Sequence, residues 1–288
     1  MLEWVARPLA GLLNWIASFL NAVYRALGAP GKLLQDLLNG SWLGHSLHPV
    51  LVDVVIGGAT AVVLLDVLRV VFGAGGTEDA ATWVLALAYA AGVDSILSGW
   101  TDFKDTASGN ERNVVGLHGL INVVGLAGFG ISLFQRMQGD HIAAFWPMLI
   151  GYAIISLGSY IGGHVVFKYG YMVNHNAFNR GKKAKEFTAV APLADVPEGT
   201  PTQVAFGTTK VLLVRRGDVV HALKDTCSHA GGPLSQGPLG DGTITCPWHG
   251  SVFRLRDGAV RHGPASTRQV SYRARVQDGQ VELQGPHD

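Results

Sequence analysis

The chain holds two cysteines, and each stands just ahead of a histidine: Cys227-Ser228-His229 and Cys246-Pro247-Trp248-His249, with sixteen residues between His229 and Cys246. Thiolate sulfur and imidazole nitrogen are the side-chain donors most often found on zinc, copper and iron, so two short loops each offer one of both. Ligand type alone does not choose the metal, because zinc also accepts two cysteines with two histidines. The pairing within each loop is more informative. Zinc ribbons gather their thiolates as C-x-x-C, a pattern this sequence lacks. Two loops of mixed donors can instead place both sulfurs on one iron and both imidazoles on another.

That arrangement resembles the Rieske [2Fe–2S] motif, in which C-x-H is followed, after a gap of this size, by C-x-x-H. The likeness extends to Gly231-Gly232-Pro233-Leu234, to His249-Gly250-Ser251-Val252-Phe253 and to a covering Gly263-Pro264-Ala265 segment, and it spans about residues 186–285. It implies that Cys227 and Cys246 ligate one iron and His229 and His249 the other, with Ser251, Phe253 and Pro264 around the cluster. Imidazoles in place of two thiolates raise a cluster's potential to between about −150 and +300 mV. Histidines on the outer iron are the expected exit for the electron.

The departures are informative too. Rieske proteins of cytochrome bc complexes add a disulfide beside the ligands, and the corresponding positions here hold Gly232 and Trp248. Their potential-raising serine is matched by Ser251, whereas Phe253 stands where they carry a tyrosine hydroxyl. The resemblance therefore implies a ferredoxin-like potential below that subtype. Rieske oxygenases carry a large domain after the cluster domain, and roughly forty residues follow the second motif here. An electron carrier is expected, an oxidoreductase component with no catalytic residues of its own.

The motifs need elements to hold them. From Glu186 onward, short alternating runs (210–215, 219–223, 243–245, 252–255, 270–276 and 281–283) are separated by Gly/Asp turns. This predicts an antiparallel β domain over 186–288. The rest of the chain is physically different. Residues 1–167 carry seven Lys+Arg and eleven Asp+Glu, whereas 168–288 carry fifteen and ten. Over all 288 residues, charged side chains make up 15% and hydrophobic ones 48%, with a mean hydropathy of +0.25. A soluble domain averages about 25% charged. Disorder and a disulfide-stapled scaffold are excluded by the apolar content and by the two cysteines, and the net charge of +1 gives no reason to expect a nucleic-acid binder.

Four stretches near 49–72, 80–100, 114–134 and 143–167 approach the ~20 residues that cross a bilayer as helix. They define an all-α membrane domain over 41–167, followed by a linker over 168–185 with five bases and no acid. Residues 1–40 read as an interfacial amphipathic helix, polar at Arg7, Asn14, Ser18, Asn21 and Arg25, with no signal-peptide cleavage pattern. Lys and Arg crowd the side shared by both termini (Arg7, Arg25, Lys32, Lys104, Arg112 and the linker), against Arg69 and Arg136 opposite. The positive-inside rule then places both termini and the β domain in the cytoplasm, in a bacterial inner membrane.

Ionisable groups within spans are costly and point to function. Asp53, Asp66, Asp94, His118 and His164 lie within the stretches, and His45 and His48 just before the first. His45, His48, His118, His164, Asp53 and Asp94 are expected in one leaflet. Three readings stay open. His118 and His164 are candidate axial ligands of a b-type haem, with Gly116, Gly119, Gly162 and Gly163 making room. His45, His48, Asp53 and Asp94 are candidates for another metal or a quinone. A structural polar network is the third reading. The region also resembles an uncharacterised four-helix bacterial membrane domain that accompanies Rieske domains, through His48-Pro49-Val50-Leu51-Val52, Gly99-Trp100-Thr101-Asp102 and His118.

The expected whole is a membrane-anchored carrier that contacts lipid. It relays single electrons between a membrane donor, quinol or haem, and a redox partner protein. The alternative is a sensing or assembly subunit in which the cluster reports redox state.

Overall fold

A computed structural model describes residues 2–287. The described chain forms two units: 2–31 with 46–171, and 32–45 with 172–287.

The first unit is helical. After α1 (Leu2–Ala6), α2 (Ala10–Asn39) is broken at Gly28, whose φ of 59° is closed to most other residues, with Pro30 just beyond; from residue 32 onward it belongs to the second unit. Four helices follow: α3 (Leu47–Phe72), α4 (Glu78–Phe103), α5 (Asn110–Met137) and α6 (His141–Tyr169). Each is long and apolar enough to cross a membrane. Their shared core includes Val55, Ala59, Val62, Leu85, Leu126, Phe129, Met148 and Ile155. Leu13 and Ala17 of α2 pack instead with Phe103, Val114 and Ile161. Trp4, Trp15 and Phe19 stay exposed.

Small residues draw α5 and α6 together, as in membrane helix pairs. A Cβ on Gly128 would sit 2.9 Å from the Pro147 carbonyl oxygen, and one on Gly151 2.7 Å from that of Gly125. The one buried charge pair, among the described residues, that joins two of these helices links Asp66 of α3 to Arg136 of α5, with Ser132 accepting from Arg136 Nε at 3.3 Å.

The second unit is β. A six-stranded antiparallel sheet has the order β1-β10-β9-β4-β3-β2, formed by β1 (Ala184–Pro192), β10 (Gln280–His287), β9 (Ser271–Gln277), β4 (Val219–Lys224), β3 (Thr209–Arg216) and β2 (Thr202–Phe206). A smaller sheet runs β5-β6-β7-β8, from β5 (Leu239–Gly240), β6 (Thr243–Thr245), β7 (Val252–Arg254) and β8 (Val260–His262). Period-two alternation in β3 serves two cores. Val211 and Leu213 face one with Phe206, Val281 and Leu283. Leu212 and Val214 face the other, which contains Cys227, Cys246 and Phe253.

Candidate metal centre

The two Cys/His loops are built alike despite their different spacing. In each, the cysteine N–H donates to a carbonyl five residues on (Gly232 at 2.9 Å, Ser251 at 2.8 Å). In each, a glycine N–H four residues on donates to the cysteine carbonyl (Gly231 at 2.9 Å, Gly250 at 3.1 Å). Both glycines sit at positive φ, 81° and 77°, where a side chain would be strained. The turn curls backbone N–H groups onto the sulfur. Those of His229 and Ala230 reach Cys227, and those of Trp248 and His249 reach Cys246. Such a nest of donors favours a sulfur anion.

The pair of loops brings like with like. Cys227 and Cys246 are hydrogen-bonded, thiol to thiol. That contact, together with burial, pushes the Cys227 thiol up, while the bond from Cys227 and the Trp248 and His249 amides hold Cys246 down. The His229 and His249 rings stand edge to face with centroids 5.1 Å apart. Burial, with His249 and His175 nearby, lowers His229 to about 3. Its Nδ1 is sealed and makes no hydrogen bond, and Nδ1 of His249 is sealed as well. A sulfur pair beside an imidazole pair, with Nδ1 of His229 left without a hydrogen bond, fits a centre of two metal atoms.

The surroundings fit too. Ser251 is fully buried and its Oγ accepts from Ala265 N at 2.9 Å, which ties the Gly263–Ala265 segment to the second loop. Pro264 lies within this cover and follows a cis peptide bond. Phe253 is fully buried in the cysteine core and brings no hydroxyl there. A Cβ on Gly232 would lie 2.9 Å from Cys246 Sγ and 3.0 Å from the Trp248 ring, so this position has no spare room for a larger side chain.

Other supports were not legible in the motifs. Gln269 Nε2 donates to the carbonyls of Lys224 and Thr226, and Asn176 Nδ2 reaches Thr226 O and Gln269 Oε1, each at 3.0 Å. Asp225 accepts from Ser235 N at 2.6 Å, and Ser228 Oγ donates to Thr267 O at 2.8 Å. None of these residues falls within the Cys/His motifs, and most of their partners lie tens of positions along the chain, so no local pattern marks them.

The helical unit corrects the expected layer of histidines. His118 and His164 do not oppose each other. The His118 ring lies against Gly162, with Nδ1 donating to Gly158 O at 2.8 Å, whereas His164 packs edge-on against Tyr169. His164 lies two residues from Gly162, about 200° around the helix, and so looks away from His118. The space expected for a porphyrin is filled: Leu13 covers Gly116, Trp100 covers Gly119, and His118 itself covers Gly162. The haem reading therefore fails on packing.

The second candidate set does not assemble either. Asp53 and Asp94 are exposed on their helices, and His45 is exposed and belongs to the β unit. A pair remains. His48 Nδ1 donates to Ser95 O at 2.9 Å, and its ring meets that of His118 at 6.2 Å between centroids.

Comparison with known proteins agrees with this division. The model of the Rieske [2Fe-2S] domain matches residues 186–273, and that of a predicted membrane protein family, DUF2231, matches 44–175. The chain is 32% identical over 98 residues to the anthranilate 1,2-dioxygenase ferredoxin subunit of Burkholderia cepacia, covering 34% of this chain and 91% of that one. It is 33% identical over 93 residues to human (Homo sapiens) apoptosis-inducing factor 3, covering 32% of this chain but only 15% of that protein's length. The solved ferredoxin of carbazole 1,9a-dioxygenase from Nocardioides aromaticivorans IC177 aligns at 29% identity and a TM-score of 0.34, over 35% of this chain and 99% of that one. The chain belongs to the Rieske [2Fe-2S] family, its cluster domain joined to a DUF2231 membrane domain with four apolar helices.

Proposed function

We propose that this protein is a membrane-anchored electron carrier. In this reading Cys227 and Cys246 hold one iron of a [2Fe–2S] cluster, and His229 and His249 hold the other through Nδ1. The observation that carries it is the pairing of thiol with thiol and imidazole with imidazole, with Nδ1 of His229 buried and unspent. When bound, the cluster supplies a one-electron couple. The residues of the chain do the rest. Amide donors in each loop stabilise the sulfur anions, Phe253 and Leu234 keep water from the inner side, and the half-exposed His229 and His249 face a partner. Trp248, 57% exposed beside His249, offers an aromatic contact to that partner.

The four apolar helices carry the domain at a membrane, where Trp4, Trp15 and Phe19 meet lipid. The Lys and Arg distribution supports a cytoplasmic cluster domain. On the donor side, the His48–His118 pair supports a lipid-soluble hydroquinone. Each Nδ1 is committed to a carbonyl, which leaves Nε2 of the neutral rings as an acceptor for a hydroxyl hydrogen.

The test is reduction of the purified, detergent-solubilised protein by a short-chain benzohydroquinone, followed by bleaching of the cluster's visible absorption. Stoichiometric bleaching, slowed at least tenfold in His48→Asn and His118→Asn, is expected. Asparagine Nδ2 replaces imidazole Nδ1 towards the carbonyl while removing the Nε2 acceptor. Equal rates in all three proteins would refute the donor site, and a protein that binds zinc without sulfide would refute the carrier.

A further inference from the structure

The segment that covers the cluster motif is bonded on two sides. Inward, Ala265 N donates to the buried Ser251 Oγ, whose own backbone carbonyl accepts from Cys246 N. Outward, Gly263 N donates to Asp36 Oδ1 at 2.7 Å, across 227 positions of sequence. The same oxygen accepts from His262 Nδ1 at 2.9 Å and from Ser41 Oγ at 3.3 Å. Asn39, fully buried, packs so closely on Gly263 that a Cβ there would lie 3.1 Å from its Oδ1. Asp36, Asn39 and Ser41 belong to the stretch 32–45, which folds with the β unit although it lies far upstream of the rest of it.

We infer that Asp36 is a positioning residue: its carboxylate clamps Gly263, and so fixes the Gly263-Pro264-Ala265 cover over the two cysteine loops. The inference rests on the cluster reading for its consequence and on the hydrogen bonds alone for the clamp. Three donors converge on one carboxylate oxygen, and hydrogen bonds to a charged acceptor are stronger than neutral ones. A clamp made by an acceptor atom and an effect made by a charge differ in what they predict for an isosteric amide.

The experiment uses the full-length protein with Asp36→Ala, Asp36→Asn and a control, Asp257→Ala, which removes an ion pair with Arg254 in the β7–β8 turn and touches neither Gly263 nor Ala265. Two quantities are read: hydrogen exchange of the Gly263 and Ala265 amides, and the rate of cluster bleaching in excess iron chelator. Asp36→Ala is expected to speed both at least tenfold. Asp36→Asn, which keeps an oxygen acceptor, stays within about threefold of wild type, and Asp257→Ala leaves both unchanged. Equal acceleration in the Ala and Asn variants would assign the effect to charge and overturn the clamp. No acceleration in Asp36→Ala, or the same acceleration in Asp257→Ala, would overturn it as well. If the wild-type protein holds no iron and sulfide, the cluster reading fails, while the exchange measurement still decides the clamp.

Discussion

Two pairs of histidines in this protein show how one residue type is put to different uses by its backbone. In the helical unit, His48 and His118 each commit Nδ1 to a carbonyl oxygen, of Ser95 and Gly158, across a helix–helix contact. In the β unit, His229 and His249 keep Nδ1 buried, that of His229 with no bonding partner. A buried ring nitrogen without a hydrogen bond costs free energy unless something else takes it. The first pair is wired to the protein and presents its far nitrogen. In the second, Nδ1 of His229 is left for a ligand, beside two thiols that hydrogen-bond to each other.

The strongest way to break this contrast is to remove a sulfur. Cys246→Ala is expected to abolish the cluster altogether, with iron and acid-labile sulfide falling to background, because no third thiol exists to replace it. Retention of half the iron would show that the sulfurs are not paired on one metal atom.

Next in size is the buried charge pair of the helical unit. Arg136 and Asp66 side chains are 1% and 4% exposed, so Arg136→Met strands a carboxylate. A loss of about 3–5 kcal/mol is expected, with Asp66→Leu/Arg136→Met restoring most of it. Thermal unfolding followed by circular dichroism measures both, and a double variant no better than the single one would remove the pair from the account.

The wired histidines give a smaller effect. His118→Leu removes the ring donor that the Gly158 carbonyl accepts in addition to its helical bond and is expected to cost about 0.5–1.5 kcal/mol, whereas His118→Asn retains a donor and costs less than half as much. Equal losses would mean that ring packing, not Nδ1, holds this residue.

The smallest effect is a pH dependence in the β7–β8 turn. Arg254, at 2.7 Å, lowers the Asp257 carboxyl to about 2. The folded value lies below the unfolded one, so its contribution is complete above about pH 4 and fades as pH falls towards 2. Solvent screening keeps it under about 1 kcal/mol. Asp257→Asn should flatten that part of the stability curve, and an unchanged curve would show that the pair contributes nothing.

Legibility in the sequence followed the range of the interactions. The cluster loops were readable because their ligands, turn glycines and amide donors lie within six residues, as in Cys246–Ser251. The four long apolar helices were readable because span length and low charge are local properties. Edge strands β1 and β2 were not foreseen; β1 starts at Ala184, among lysines, and takes its order from β10, almost a hundred residues away. The histidine layer misled because depth along a helix is read from sequence position, while the direction of a side chain depends on angle: Gly162 and His164 share a depth and face apart. Asp36 carries no motif, and its partner lies at the other end of the chain.

In the proposed cluster His229 and His249 hold the outer iron through Nδ1, the ring nitrogen that is buried in both and has no hydrogen-bonding partner in His229. Pulsed electron paramagnetic resonance of the reduced, full-length protein, with the histidines labelled at Nδ1 with nitrogen-15, tests it most directly. Two strongly coupled labelled nitrogens are expected, lost one at a time in His229→Ala and His249→Ala. A reduced cluster with no coupling to labelled histidine nitrogen, or a protein that carries one zinc and no sulfide, would contradict it.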